Sequence, residues 1–321
     1  MLVLLLFLIF NCIAVYPPEI NLAGLFAAFQ SITPVSAFTA LLLPVSETAA
    51  GVLMFVPATV YKSSSLLSYI SMIAISLAGL LLGFRFWKKN KQQLRQKNQS
   101  VYKQLLHNKF NYYKKLHPVR QKEFENRVTT FIEQKQFVSR DPEMLITDEM
   151  KVQIAACAIQ LTFGLPPVYF SHFHTIILYP ERYFSTIRQQ YHSGEINMAG
   201  LIVLSWKDFV DGYEDQWDGR NLGLHEMAHA LQFENLIRNE EFNFLSQRYL
   251  RQWEEVSALE IQKMVVTEAT FLRRYAATDH YEFFAVCVEY FFEKPREFKQ
   301  NMPGLYLIMS KLLNQDPALI V

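Results

Sequence analysis

The chain has 321 residues, a net charge of +1, and a composition that is 51% hydrophobic and 14% aromatic. The near-neutral charge argues against direct non-specific nucleic-acid binding, which normally requires a basic surplus, whereas the apolar content is high for a soluble protein and indicates contact with a membrane. Cys12, Cys157 and Cys287 lie in apolar stretches without paired spacing, which predicts reduced thiols rather than a disulfide framework.

An apolar stretch at residues 66–87 reads LLSYISMIAISLAGLLLGFRFW and carries no charge before Arg85. At about 1.5 Å per residue, such a helix crosses a hydrocarbon core of about 30 Å, so we predict a transmembrane helix at about residues 66–87. Trp87 would lie at the interface. By the positive-inside rule, the protein lies in the cell (inner) membrane with everything downstream in the cytoplasm, because five basic residues follow: Lys88, Lys89, Lys91, Arg95 and Lys97.

The region before this helix permits more than one interpretation. Residues 1–16 are apolar but lack the basic segment of a signal peptide, which predicts either a short first span or a buried anchor. Residues 38–61 are moderately apolar but interrupted by Pro44, Glu47 and Pro57. A further span and a loop along the membrane are therefore equal alternatives there.

The change in composition along the chain predicts three regions. We expect an N-terminal membrane region at 1–87, a basic linker at 88–117 and a soluble domain at 118–321. The soluble domain should begin with an amphipathic helix, because apolar residues recur at near-helical spacing between charges: Val119, Phe124, Val128, Phe131 and Phe137.

Further elements of the soluble domain follow from their boundaries. Thr147 or Asp148 is a natural N-cap and Gly164 a natural stop for a central helix with a nearly all-apolar interior. The short runs at 173–180 (FHTIILYP) and 199–206 (AGLIVLSW) are typical of strands. Helical patterns return from Gly223 to the end of the chain, so we predict an α+β fold that is mostly helical with a small sheet.

The segment NLGLHEMAHALQ, residues 221–232, contains two histidines four positions apart. On a helix, His225 and His229 lie on the same face and can direct one imidazole nitrogen each at a common metal ion. Glu226 is rotated by about 100°, where a general base would flank a metal-activated water. The competing interpretation is an amphipathic helix whose histidines are hydrogen-bonded in the core or exposed.

A catalytic zinc ion keeps three protein ligands and one open position, so a third donor must come from elsewhere. Glu282 is the best candidate, because it lies in the first turn of an otherwise apolar helix. Asp279 and His280 are rival ligands in the preceding turn. For Glu289, seven residues further, we predict a hydrogen bond between helices or to a ligand rather than ligation.

Four blocks of this sequence together resemble the Mlc titration factor A (MtfA) group of zinc-dependent peptidases, whose catalytic core is similar to that of anthrax lethal factor. The blocks are LITDEMKVQIAACA, IILYPERY, DGRNLGLHEMAHALQ and YAATDHYEFFAVCVEYFF, between about residues 118 and 300. The resemblance implies a zincin-like domain with zinc held by His225, His229 and Glu282. It also implies that Glu226 is the catalytic base and that Tyr275 stabilises the oxyanion.

The sequence departs from this family at three places. Met227 replaces a common phenylalanine, which is a tolerable exchange in a packed site. Leu231 and Gln232 stand where relatives often read Leu-Asp, and a lost carboxylate next to the ligands can weaken metal binding about 10–100-fold. The N-terminal 87 residues are not explained by the resemblance, since its members include plainly soluble proteins.

Together these observations predict a membrane-anchored, cytoplasm-facing zinc metallopeptidase that acts on a peptide or protein substrate. The alternative is a non-catalytic binding module that sequesters a transcription repressor or another protein at the membrane. A second histidine pair, His172 and His174, is better interpreted as a solvated strand face. An intramembrane protease is excluded by the charged residues before the motif, namely Asp211, Glu214, Asp215, Asp218 and Arg220.

Overall fold

The structure is a computed structural model that describes residues 38–40, 55–57, 66–185, 189–215, 217–267 and 270–320. The chain divides into two compact units, Met1–Leu94 and Arg95–Val321. The predicted first span at residues 1–16 lies outside the described residues.

In the first unit, strand β1 (Phe38–Ala40) pairs antiparallel with β2 (Phe55–Pro57), with Thr39 opposite Val56. Helix α1 (Leu66–Lys109) includes the predicted helix at 66–87. Among the residues that the structure describes, no helix is both long and apolar enough to cross a bilayer. Large apolar side chains of α1 are nevertheless exposed over several turns: Ile75, Leu77, Leu80, Leu81, Leu82, Phe84, Phe86 and Trp87.

The segment interpreted as a basic linker is helical over most of its length. Helix α1 continues to Lys109, and the short helix α2 (Asn111–Lys115) follows. Four apolar residues within this basic stretch are buried in the core because they recur at helical spacing: Tyr102, Leu106, Phe110 and Tyr113. The packed unit therefore includes residues that the charge pattern assigned to a linker.

Two predicted helices of the soluble domain are present. Helix α3 (Pro118–Gln134) buries Phe124, Val128 and Phe131, but Val119 is 72% exposed and Phe137 belongs to the next strand. Helix α4 (Asp148–Thr162) begins at Thr147, whose hydroxyl accepts a hydrogen bond from the backbone N–H of Met150. Its sides are buried almost all round, as expected for a central helix.

A four-stranded sheet lies within the second unit, in the order β3 (Gln136–Ser139), β4 (Thr175–Tyr179), β8 (Leu201–Ser205), β7 (Gly194–Asn197). The predicted strands are β4 and β8, which pair in parallel. β7 runs antiparallel at the edge. Strands β5 (Tyr183–Ser185) and β6 (Gln190–His192) form a separate hairpin.

The rest of the chain is helical, which confirms the α+β class. Helix α6 packs on α4 and α8 and against β7 and β8, so it lies at the centre of the unit. The elements after the sheet are α5 (Trp206–Glu214), α6 (Leu222–Leu236), α7 (Gln247–Val266), a 3-10 turn (Arg274–Ala277), α8 (His280–Glu293), α9 (Pro295–Asn301), α10 (Pro303–Leu313) and α11 (Pro317–Ile320).

Candidate metal centre

Helix α6 carries the two motif histidines into a buried position. It begins at Asn221, whose side-chain oxygen accepts a hydrogen bond from the N–H of Leu224 at 2.9 Å. Gly223 allows close packing in the first turn, since a Cβ there would lie 2.5 Å from the ring of Phe209. These contacts fix the start of the helix, and with it the direction of His225.

Three side chains converge at this point. The Nε2 atoms of His225 and His229 are 3.1 Å apart, and Oε2 of Glu282 lies 3.0 Å from the first and 3.5 Å from the second. In a tetrahedral zinc site with bonds of about 2.0–2.1 Å, neighbouring ligand atoms are separated by about 3.3 Å. The three atoms thus have the spacing of one face of such a site, and the donor set fits the metal.

Glu282 reaches the histidines from the first turn of α8. Asp279 is the N-cap of this helix and accepts hydrogen bonds from the N–H groups of Tyr281 and Glu282 at 2.8 and 2.9 Å. Of the two rival ligands, Asp279 is therefore engaged as a cap, and His280 is exposed. Burial alone raises the pKa of Glu282, but the adjacent imidazoles hold it well below its usual range. The Glu282 carboxylate is therefore ionised beside the two imidazoles.

Glu289 orients His225 from the far side, as predicted. Its Oε1 lies 2.8 Å from Nδ1 of His225, and its Oε2 accepts the N–H of Asn221 at 2.6 Å. Arg273 donates to both oxygens. Burial lowers the pKa of His225, but its contacts with Glu282 and Glu289 raise it to about 10. With Nδ1 held by a carboxylate, Nε2 is the nitrogen directed at the cluster.

Glu226 is buried beside the cluster, with 6% of its surface exposed. Burial raises its pKa, and the charges of His225 and His229 act in the opposite direction. Edge strand β7 lies directly against this carboxylate, because a Cβ on Gly194 would come within 2.6 Å of Oε1 of Glu226. The position therefore brings a carboxylate, the histidine pair and a sheet edge together.

Tyr275, in the 3-10 turn, lies near His225, with ring centroids 5.9 Å apart. Half of its surface is exposed. Burial of the rest, together with the nearby carboxylate of Glu282, raises the pKa of its hydroxyl. The hydroxyl therefore keeps its proton and can donate a hydrogen bond at the mouth of the site.

The other polar residues singled out in the sequence lie elsewhere or act differently. His172 and His174 precede β4, and their rings contact the carbonyl of Met198 and the hydroxyl of Thr175. Oε1 of Gln232 is buried, with no hydrogen-bond partner among the described residues. Sequence reasoning missed Arg273, since nothing in its spacing indicates that it pairs with Glu289. The carboxylate that supports His225 comes from α8 rather than from position 232.

Comparisons with known proteins agree with this geometry. The profile of a family described as glucose-regulated metallo-peptidase M90 matches residues 84–313. An uncharacterized protein of Synechocystis is 26% identical over 267 residues, which cover 77% of this chain and 96% of its own length. Mlc titration factor A of Escherichia coli is 32% identical over 186 residues, 51% of this chain and 69% of that protein. Mlc titration factor A of Klebsiella pneumoniae is 28% identical over 220 residues, which cover 63% of this chain and 82% of that protein.

The matched residues, 84–313, make up well over half of the chain and include all three residues of the His-His-Glu cluster. A mostly helical fold that brings these residues together has the donor set which a metallopeptidase requires. The chain therefore belongs to the M90 family of metallopeptidases and is MtfA-like.

Proposed function

We propose that this protein is a membrane-anchored, cytoplasm-facing zinc peptidase that hydrolyses peptide bonds with water. One observation carries the proposal: ligand atoms of His225, His229 and Glu282 lie within 4.8 Å of one another beside the buried carboxylate of Glu226. Two imidazoles and one carboxylate suit a catalytic zinc ion, which keeps a fourth position open. In this proposal, these three residues are the metal ligands.

Glu226 acts as the general base. When bound, zinc supplies a water of lowered pKa, about 7, and polarises a carbonyl group. Beside such a site, Glu226 would accept a proton from the water that adds to the peptide carbon, and would return the proton to the amine nitrogen as the C–N bond breaks. Burial raises the pKa of Glu226, and a raised pKa makes a carboxylate a stronger proton acceptor.

Tyr275 and strand β7 complete the proposed site. The protonated hydroxyl of Tyr275 donates a hydrogen bond to the carbonyl oxygen as negative charge develops on it. Strand β7 is at the edge of the sheet and contacts Glu226 through Gly194. Backbone groups of an edge strand can pair with an extended peptide, so a substrate strand beside β7 would lie next to the base.

Membrane anchoring is supported by the chemistry of α1. Apolar side chains from Ile75 to Trp87 are exposed on this helix, and a large exposed apolar surface favours contact with a membrane. The Trp87 ring lies 5.4 Å from the ammonium group of Lys91, an arrangement suited to a membrane interface. The basic residues that follow support the cytoplasmic orientation of residues 118–321, the proposed peptidase domain.

The test uses the full-length protein, purified in detergent and loaded with zinc. We expect about one zinc ion per chain and hydrolysis of short chromogenic peptides, which a chelator abolishes and added zinc restores. Glu226→Gln should abolish turnover and retain zinc, whereas Glu255→Gln, at an exposed position on α7, should behave as the parent. If Glu226→Gln hydrolyses peptides as fast as the parent protein, Glu226 is not the base.

A second candidate function is sequestration of a protein, such as a transcription repressor, at the membrane. It is favoured by the name of the Mlc titration factors among the relatives and by the unpartnered amide oxygen of Gln232 where relatives often carry a carboxylate. Stoichiometric zinc without hydrolysis of any peptide in the test above would support this function over the peptidase.

A further inference from the structure

The metal cluster lies at one end of an apolar surface that continues along α6. Residues three and four positions apart share a helix face, so Phe233 and Leu236 follow His225 and His229 on the same side. Phe233 is four residues beyond His229, about 6 Å along the helix axis. Leu236 ends the helix and is 62% exposed.

Tyr281 extends this surface from α8. It directly precedes Glu282 and stacks on Phe233, with ring centroids 5.8 Å apart and ring planes within 5° of parallel. Phe233 is partly buried against the core, whereas Tyr281 keeps 36% of its surface exposed. The stacked pair joins the two helices that provide the cluster and leaves apolar surface open beside it. We name Phe233, Leu236 and Tyr281 the apolar shelf.

The shelf and Tyr275 lie toward opposite ends of the histidine pair. Tyr275 packs near His225, whereas the shelf begins one turn beyond His229. A peptide bound across the histidine pair, with its carbonyl oxygen toward the hydroxyl of Tyr275, can therefore continue past His229 to the shelf. An extended peptide advances about 3.3 Å per residue, so the rise of about 6 Å from His229 to Phe233 along the helix corresponds to about two residues of a peptide that runs past His229.

We propose that the apolar shelf binds an aromatic or large aliphatic side chain of the substrate, within two residues of the scissile bond. This inference rests on the proposed peptidase function and adds a substrate class to it. Transfer of an apolar side chain from water to such a surface is favourable without defined polar partners. The shelf would thus select for size and apolar character, while the metal cluster and strand β7 contact the peptide backbone.

Binding tests the shelf independently of catalysis. The full-length Glu226→Gln protein, loaded with zinc, is titrated with fluorescein-labelled octapeptides that differ in one central residue, Phe, Leu, Ala or Glu, scanned over four positions. At one or two positions we expect Phe and Leu peptides to bind about tenfold more tightly than the Ala peptide. Equal affinities at all four positions would overturn the proposal, whether or not the parent protein hydrolyses any of them.

Variants of the shelf assign the preference to its residues. Phe233→Ala and Leu236→Ala should reduce the Phe-to-Ala affinity ratio to near one, and in the parent background they should act on KM more than on kcat. Because Phe233 is partly buried, Leu236→Ala provides a test that does not depend on folding. Leu307→Ala is the matched control, since Leu307 is 59% exposed on α10, outside the cluster helices.

The failures of the two proposals are distinguishable. One outcome is that the Phe peptide binds more tightly than the Ala peptide, that Leu307→Ala retains this difference, and that the parent protein hydrolyses no peptide. This outcome supports the shelf and contradicts the peptidase. Hydrolysis without any preference for apolar side chains supports the peptidase and overturns the shelf. An equal loss of preference in Leu236→Ala and Leu307→Ala would also overturn it, because the preference would then not belong to this surface.

Discussion

Replacement of Glu289 by glutamine tests whether the buried carboxylate behind His225 controls metal binding. Every polar contact of this carboxylate comes from a donor: the N–H of Asn221 at 2.6 Å, Nδ1 of His225 at 2.8 Å and two guanidinium nitrogens of Arg273. The amide group of glutamine would direct its own N–H donors at some of these donors. Glu289→Gln therefore preserves the shape of the side chain while it removes the negative charge and at least one hydrogen-bond acceptor.

The expected effect has two parts. Loss of the partner that orients a ligand histidine weakens metal binding by about 10–100-fold, or about 1.4–2.7 kcal/mol. Removal of one partner of a buried ion pair costs about 3–5 kcal/mol of stability. We expect the lower end, about 3 kcal/mol, because the side chain of Arg273 is 21% exposed while that of Glu289 is 2% exposed.

Zinc affinity is measured by competition with a chromophoric chelator, and the free energy of unfolding by urea denaturation of the metal-free protein followed by tryptophan fluorescence. The control is Glu260→Gln, which removes an exposed i,i+3 pair with Lys263 on α7 and should change stability by less than about 1 kcal/mol. If Glu289→Gln binds zinc as tightly as the Glu260→Gln control does, the carboxylate does not orient the ligand and the reasoning is refuted.

Three further predictions concern Glu226, Tyr275 and Glu293. In Gly194→Ala, the added Cβ would lie within 2.6 Å of Glu226, so it should displace the base and lower kcat at least about tenfold while the zinc content stays the same. The control is Gly304→Ala, where a Cβ meets no described atom within 4 Å and kcat should equal that of the parent protein. Tyr275→Phe should lower kcat about 100-fold or more with zinc retained; parent-like peptide kinetics would exclude oxyanion stabilisation by its hydroxyl. Burial raises the pKa of Glu293 from 4.5 to about 8, although the hydrogen bond from Asn221 acts to lower it. Between these pH values the folded state therefore binds a proton that the unfolded state releases. The free energy of unfolding should therefore fall by roughly 2–4 kcal/mol as pH rises from about 4.5 to 8. If Glu293→Gln shows the same pH dependence of the unfolding free energy in denaturation curves, Glu293 is not the group responsible.

The secondary-structure elements that follow local rules were predictable from the sequence. The cap at Thr147, the strands around Ile177 and Val203, and the shared face of His225 and His229 follow from short-range pattern alone. The linker prediction differs from the structure for a related reason. Charge dominated the interpretation of residues 88–117, although Tyr102 and Leu106 recur there at helical spacing and are buried.

Pairings between distant residues were less accessible to sequence reasoning. Glu282 and Asp279 were both plausible ligands; the contacts of Glu282 with the two histidines and the capping hydrogen bonds of Asp279 separate their roles. Strand β7 was missed because GEIN has neither the length nor the β-branched run of a typical strand. Its position at the sheet edge, against Glu226, depends on pairing with β8.

The sequence by itself determined the candidate metal-binding histidine pair, the candidate base between them and the α+β class, because helix periodicity fixes which neighbours share a face. Only the tertiary structure decided which carboxylate completes the cluster and which one, Glu289, supports His225 from behind. It also placed Arg273 on Glu289 and Gly194 on Glu226. Such contacts join residues 16 to 64 positions apart, and their geometry is set by how α6, α8 and the sheet pack rather than by any local pattern.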